Sequence, residues 1–337
     1  MASAVKEKKK KLPVSATRQR GFGREMKKNW VLYAMCMPAL FFMLLFNFIP
    51  MHGIWMAFTK YNLLDGIFGS KFVGLDNFKY FFWGMNKNAS DGWAYFLSGQ
   101  GQGPKVIYNT VYLNVWGLIL GLIFPVGIAI FMNEIRGKVF KKLTQAMMFF
   151  PYFLSWVVVG ALVYGLFSTD VGLVNRLIKE SGGDVIRFYA EAKWWKPILI
   201  VCNVWKWCGY SSITYMAAMA SFDGSLYEAA RVDGANKFQQ IIYLTIPMLK
   251  PTMVVLTLMS VGRIFFGDFG MVYAIIGNNP VIGDEVAVID TYVYASMRGL
   301  GFSYSTAIGL CQSTIGLVLV TAANAFAKKI NDGEGLF

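Results

Sequence analysis

Six apolar stretches constrain this chain more than any other feature: 30–49, 111–132, 143–167, 197–220, 252–276 and 306–327. Each reaches the roughly 17–25 residues that a bilayer-spanning helix needs. A water-facing globule cannot hide them, because soluble proteins carry about a quarter of their residues charged and this one carries 15%. The expected fold is all-α: a polytopic membrane protein with six transmembrane helices. The net charge of +13 admits a nucleic-acid surface or a topology signal, and the positions of the basic residues decide between them.

Ten Lys and Arg lie in residues 1–28 against Glu7 and Glu25, so +8 of the excess is a basic tail. The stretch after it is longer than the roughly 7–15-residue core of a secretory signal and ends Phe46-Asn47-Phe48-Ile49-Pro50 without a small-residue cleavage site. It reads as an uncleaved anchor. Six spans put both termini on one side, and the positive-inside rule makes that side the cytoplasm. Connection 133–142, with Arg136, Lys138, Lys141 and Lys142, and Lys328-Lys329 after the last span fall inside as required. Connection 168–196 faces out and is nearly balanced in charge. The domains expected are thus the tail, 1–28, and a transmembrane domain, 29–337, in a bacterial cell membrane. No nucleic-acid partner is expected, only lipid at the tail.

Catalytic and metal signatures do not emerge. His52 is the sole histidine. Cys36, Cys202, Cys208 and Cys311 fall inside predicted spans without metal or disulfide spacing. The phosphate-loop pattern fails because Met132 stands where its first glycine belongs. The reading is of a transport subunit with no catalytic residue, metal or cofactor of its own; if ATP drives it, another subunit binds the ATP and Mg and hydrolyses it. An ion-coupled secondary carrier needs more acidic groups in the spans than Asp268, or a repeated half. An intramembrane transferase needs clustered catalytic groups. Both remain as alternatives.

The thirty-residue loop 221–250 faces the cytoplasm on this topology. Ser225-Leu-Tyr-Glu228 is a capping box that starts a short helix, and Gly234 permits the left-handed turn that ends it. Asn236 caps a second turn over 237–243, which Pro247 stops before the fifth span. The run Tyr227-Glu-Ala-Ala-Arg-Val-Asp-Gly-Ala-Asn236, continuing to Leu244-Thr-Ile-Pro247, resembles the EAA loop of ABC importer permeases, E-A-A, three residues, G, nine residues, I-x-L-P, with the two aliphatics exchanged. Segments 72–78, Asn109-Thr110, 133–136, Pro151 with Ser155-Trp156, and 170–175 extend the resemblance over about residues 25–335 to maltose-type carbohydrate permeases, nearest the LplB-like branch for oligosaccharides and polysaccharides. The resemblance implies a type I ABC importer permease fold and makes the loop a coupling helix that docks on an ATPase. Glu228, Ala229, Ala230, Asp233 and Gly234 become its docking elements, with Asn236 and Pro247 completing the set. It also implies a second homologous permease subunit, two cytoplasmic ATPase subunits, and an extracellular solute-binding protein met by the outer loops, in a machine that moves oligosaccharides by alternating access.

Ionisable groups at bilayer depth are functional candidates by default. Asn203, Lys206 and Tyr210 recur at i, i+3 and i+7 in the fourth stretch, and Ser260, Arg263 and Gly267 do so in the fifth, so each trio lies on one helical face. By resemblance, Asn203, Tyr210 and Ser260 match sugar-contact positions. Lys206 and Arg263 do not, and they point to an anionic or heavily hydroxylated glycan. Open alternatives are that Arg263 pairs with Asp268 or with a partner subunit, and that Lys206 snorkels along its own helix. The neighbouring rings Trp205, Trp207 and Tyr215 are read either as sugar-stacking or as packing residues.

Overall fold

The structure is a computed structural model that describes residues 27–84, 96–99, 101–135 and 137–330, with the side chains of 327, 329 and 330 excluded. Most of the basic tail, Arg136, Trp93 and the sequence Asn88-Ala-Ser90 lie outside the described residues. The chain divides into two compact units, 1–53 and 54–337.

In the first unit, α1 (Trp30–Met43) has no Asp, Glu, Lys, Arg or His and no buried residue. A π turn over Leu44–Phe48 follows, also with nothing buried. This helix is apolar all round, as suits immersion in lipid, where only a helix or a closed barrel satisfies every backbone polar group. A 3-10 helix runs on over Ile49–Phe58. In it the Nδ1 of His52 sits 2.7 Å from the Ile49 carbonyl, a local turn contact.

The second unit begins with a two-stranded antiparallel ribbon, β1 (Thr59–Lys60) and β2 (Lys71–Phe72). Helices follow in order: α2 (Asp76–Trp83), α3 (Gln102–Glu134), α4 (Lys138–Phe153), α5 (Trp156–Phe167), α6 (Leu173–Glu180) and α7 (Trp195–Ala220). Then come α8 (Gly224–Val232), α9 (Lys237–Val261), α10 (Phe269–Ile276), α11 (Ile289–Gly299) and α12 (Phe302–Ile330).

Two of the six expected spans are not continuous helices. Stretch 143–167 breaks at Leu154-Ser155, where α4 and α5 meet at 97°. Both break residues are extended, Pro151 sits in the last turn of α4, and the Ser155 hydroxyl caps α5 by accepting from the Val158 N–H at 3.3 Å. Proline removes a ladder donor and the serine offers a fresh start, so the chain turns there. Stretch 252–276 unwinds over 262–268 between α9 and α10, and Asp268 caps the new helix through the Met271 N–H at 2.9 Å. Among the described residues, four helices are long and apolar enough to cross a membrane, or five if the bent α4–α5 pair is one span. At 26 residues α7 is long enough, but its polar side chains make it less apolar than a lipid-facing span.

The expected stop at Pro247 is also corrected. The chain stays helical from Lys237 to Val261, passing through a π turn at Ile241–Thr245 just before the proline. The wider turn accommodates a residue that lacks an N–H and crowds the carbonyl four positions back.

Packing concentrates between α3 and α7. Toward the N-terminal ends of these two helices, Leu113, Trp195, Leu199, Val204, Met271 and Ile275 belong to one buried cluster, in which the Trp195 indole donates to the Phe188 carbonyl at 2.7 Å. Toward their C-terminal ends, Val126, Ala129, Tyr215, Met219 and Leu249 form another, so Tyr215 is a packing residue. Lipid is as apolar as leucine, so close van der Waals fit holds such helices together. At Gly209 a Cβ would lie 2.0 Å from the Met148 carbonyl oxygen, so only glycine allows α7 this near α4.

Three polar side chains noted in the sequence tie loops to this frame. Asn109 donates to the carbonyls of Glu285 and Ala287 at 3.0 and 3.1 Å. The Thr110 hydroxyl accepts from the Ile289 N–H at 2.9 Å. Asn175 donates to Ser168 and Ile186 carbonyls and accepts from the Ile186 N–H.

Candidate functional site

The unwinding of 262–268 creates the site. Backbone polar groups freed inside a membrane protein must find partners, and here three helices provide them. The Asn114 amide on α3 donates to the Ile264 and Phe266 carbonyls at 3.0 and 3.1 Å. Gln312 on α12 donates to the Phe265 carbonyl at 2.8 Å. Asp290 on α11 accepts from the Gly267 N–H at 2.6 Å and from Gln312 at 3.1 Å. A Cβ on Gly267 would come within 2.7 Å of the Val288 side chain, so this approach requires glycine.

The unwound segment, α3 and α7 enclose a cavity of about 510 Å³. Four of the six expected pathway residues line it: Asn203, Ser260, Arg263 and Gly267. The last two arrive by a different route from the one expected. They share no helical face, because the chain is no longer helical beyond Val261; they reach the cavity because it unwinds there. Arg263 is exposed and forms no ion pair with any described carboxylate, Asp268 included, although Asp268 lines the same cavity.

Lys206 and Tyr210 are placed elsewhere. Lys206 is buried at 5% exposure. Its Nζ donates to the carbonyls of Pro151 at 3.3 Å, Tyr152 at 3.0 Å and Leu154, and it lies 5.3 Å from the Trp156 ring centroid. It neither lines the cavity nor snorkels outward: it closes the carbonyl end of α4 at the break, where the helix macrodipole is negative. Tyr210 stacks on Tyr152, ring centroids 4.1 Å apart and 6° from parallel. Trp207 lines the cavity, whereas Trp205 does not.

Asn114, Trp156, Phe269, Asp290 and Gln312 went unremarked as site residues. Their signal is faint: two neutral amides and two rings inside apolar stretches and one carboxylate in the connection between the last two, whose value emerges only with the break they surround.

A second site lies in the loop between α7 and α9. Its first helix, α8, is capped by Asp223, whose carboxylate accepts from the Ser225 N–H at 2.9 Å; the expected Ser225–Glu228 box is not formed. Asp223 wins because its side chain sits one residue before the helix. The Ser225 N–H and hydroxyl hold its carboxyl below the usual range. Gly234 has φ +82°, and the Ala235 N–H returns to the Ala230 carbonyl at 2.8 Å, a Schellman closure. The Asn236 capping box is present with Gln239. Glu228, Ala229, Asp233 and Gly234 are exposed, and Ala230 is only partly buried. Lys237 pairs with Glu134 at 2.7 Å and the Tyr227 hydroxyl meets the Thr245 hydroxyl at 3.0 Å, so the start of α9 is tied to the end of α3, and α8 to the π turn of α9.

The family profile described as binding-protein-dependent transport system inner membrane component matches residues 116–332, which include the second site and all of the first except Leu113 and Asn114. Among similar proteins, the polygalacturonan/rhamnogalacturonan transport system permease YteP of Bacillus subtilis is 36% identical over 98% of this chain and 95% of its own length. Protein LplB of the same organism is 34% identical over 93% and 92%. A crystal structure of a bacterial alginate ABC transporter, in complex with an alginate pentasaccharide-bound periplasmic protein, contains a chain with TM-score 0.77 at 32% identity, covering 92% of this chain and 98% of that one. An importer permease of this kind is a multi-pass membrane protein that works with a partner ATPase and a substrate-binding protein. The chain belongs to the binding-protein-dependent transport system inner membrane component family and is a permease subunit of an ABC importer, a transport subunit rather than an enzyme.

Proposed function

We propose that this subunit imports an acidic oligosaccharide into a bacterial cell. The observation that carries the reading is Arg263, an unpaired guanidinium on an unwound segment facing a 510 Å³ cavity. A planar guanidinium binds a carboxylate through two parallel hydrogen bonds and sugar hydroxyls through one. Asn114, Asn203, Ser260 and Asp268 add neutral and acceptor groups for hydroxyls, and Trp207 adds an aromatic face. The names of the similar proteins, which concern polygalacturonan or rhamnogalacturonan and alginate, support an anionic glycan.

In the full machine this chain pairs with a second, homologous permease, so that the cavity becomes half of a shared path. Two cytoplasmic ATPase subunits bind ATP and Mg, and a solute-binding protein delivers the glycan from outside. The chain crosses the membrane six times with both termini in the cytoplasm, and α8 presents Glu228, Ala229, Ala230, Asp233 and Gly234 to an ATPase groove. Closure of the ATPases pushes α8, the links through Lys237–Glu134 and Tyr227–Thr245 carry the motion into α3 and α9, and the unwound 262–268 segment opens the cavity outward.

Competition in proteoliposomes carrying the complete importer tests the substrate class. Uptake of a labelled uronic-acid oligosaccharide is expected to resist excess neutral oligosaccharide of equal length, and Arg263→Gln is expected to lower that uptake about 10–100-fold, as the loss of a charge-assisted pair predicts. Equal competition by the neutral sugar, with Arg263→Gln unchanged, overturns the reading.

A further inference from the structure

Beyond the central cavity, we infer that the chain carries a second, outer saccharide station joined to it by a ladder of aromatic rings. A separate cavity of about 350 Å³ opens between the end of α10, the turn after it and α11. Phe269, at the start of α10, lines the central cavity, while Tyr273, one helical turn on, lines the outer one. Their rings stack with centroids 5.1 Å apart and planes 13° from parallel. Tyr294 on α11 meets both edge-on, at 5.2 and 5.3 Å. Arg298, one turn further along α11, lies 4.6 Å from the Tyr294 ring and donates to its hydroxyl. Four side chains thus run without a gap from one cavity to the other.

Their chemistry suits a sugar chain. Aromatic faces take the apolar C–H faces of pyranose rings and leave hydroxyls at the edge for polar partners. Beyond its bond to the Tyr294 hydroxyl, the Arg298 guanidinium forms no ion pair with a described carboxylate and keeps further donors for a uronate carboxylate or a hydroxyl pair. Asp284 lines the same cavity and offers acceptors for sugar hydroxyls, while the Thr291 hydroxyl beside it is bonded to the Val288 backbone. A membrane-interface belt also collects tyrosines, but belt rings stand out among lipid headgroups. Tyr273 and Tyr294 are half-buried and line a cavity.

The station rests on the saccharide reading given above and adds a length preference to it. A chain long enough to reach both cavities is held at Arg263 and at Arg298 together, and a short one engages one site at a time. Linking two weak sites raises apparent affinity only for a ligand that spans them.

The test uses the complete importer in proteoliposomes with labelled uronic-acid hexamer and dimer, comparing wild type with Tyr294→Leu and Arg298→Gln. Hexamer uptake at low concentration is expected to fall roughly tenfold in each variant, as the loss of one weak contact predicts. Dimer uptake and binding-protein-stimulated ATP hydrolysis stay at the wild-type level, which shows that the variants fold and couple. Unchanged hexamer uptake, or an equal fall for both lengths, overturns the station. Wild-type protein that imports neither oligomer instead removes the saccharide reading, and the station with it.

Discussion

Replacing Lys206 by methionine keeps the length of the side chain and removes its charge and all its donors. Three carbonyls at the carbonyl end of α4 then lose their shared partner, two of them held at 3.3 and 3.0 Å in the intact protein. A hydrogen bond involving a charged group contributes about 1.5–3 kcal/mol, and an unsatisfied buried acceptor costs about 1–3 kcal/mol. The sum is offset because the ammonium no longer has to be desolvated. A net loss of about 3–5 kcal/mol is expected. For a domain of this size it lowers the melting midpoint by roughly 10 °C. Intrinsic fluorescence of the detergent-solubilised importer during heating reads this directly, and Lys206→Gln, which retains two donors, should recover part of the loss. The reasoning is refuted if Lys206→Met melts with wild-type protein while its apparent affinity for substrate drops, because that pattern belongs to a residue contacting the guest.

Further expectations concern the coupling loop and the unwound segment. Asp223 caps α8 with its carboxyl held below the usual range, so its contribution is complete above the unfolded value of about 3.9 and is lost as pH falls through the lower folded value. Protection of the α8 amides relative to the unstructured chain should be constant from pH 8 to 5 and fall below about pH 4, and Asp223→Ala should show the lower protection at every pH. Gly234→Ala forces a side chain into φ +82° at a cost of about 1–2 kcal/mol; ATPase co-purification should weaken while solubilised permease stays folded. Asn114→Leu leaves the Ile264 and Phe266 carbonyls without their donor, so cysteine labelling at position 263 should change rate and uptake should fall at least tenfold if the break sets the cavity's shape, a loss equivalent to about 1.4 kcal/mol. Unaltered labelling removes that role.

Much of this organisation is legible in the sequence, for identifiable reasons. Apolar runs announce themselves by length alone, and the Gly234 and Asn236 signals are local, since a left-handed turn and a capping box each need only a few neighbouring residues. The broken spans were hidden because composition reports hydrophobicity and not continuity: Pro151-Tyr-Phe-Leu-Ser155 and Val261-Gly-Arg-Ile-Phe-Phe-Gly-Asp268 read as apolar enough to continue. Their breaks depend on Lys206, Asn114, Asp290 and Gln312, which come from distant stretches. Lys206 shows the limit most clearly. Helical spacing aligned it with Asn203 and Tyr210, yet a carbonyl end 54 and 55 residues earlier in the chain claims its charge. The shift from Ser225 to Asp223 as the α8 cap is a smaller error of the same type, since two good capping residues stand two positions apart and only backbone geometry chooses between them.

The central claim is that ATP hydrolysis by partner subunits, transmitted through α8, drives a glycan past Arg263. Uptake of labelled uronic-acid oligosaccharide into proteoliposomes holding the permease pair, the ATPases and the binding protein tests it most directly. The account predicts uptake only with enclosed ATP, abolished by vanadate and by omission of the ATPases. Uptake sustained by a proton or sodium gradient without ATP or ATPase contradicts it.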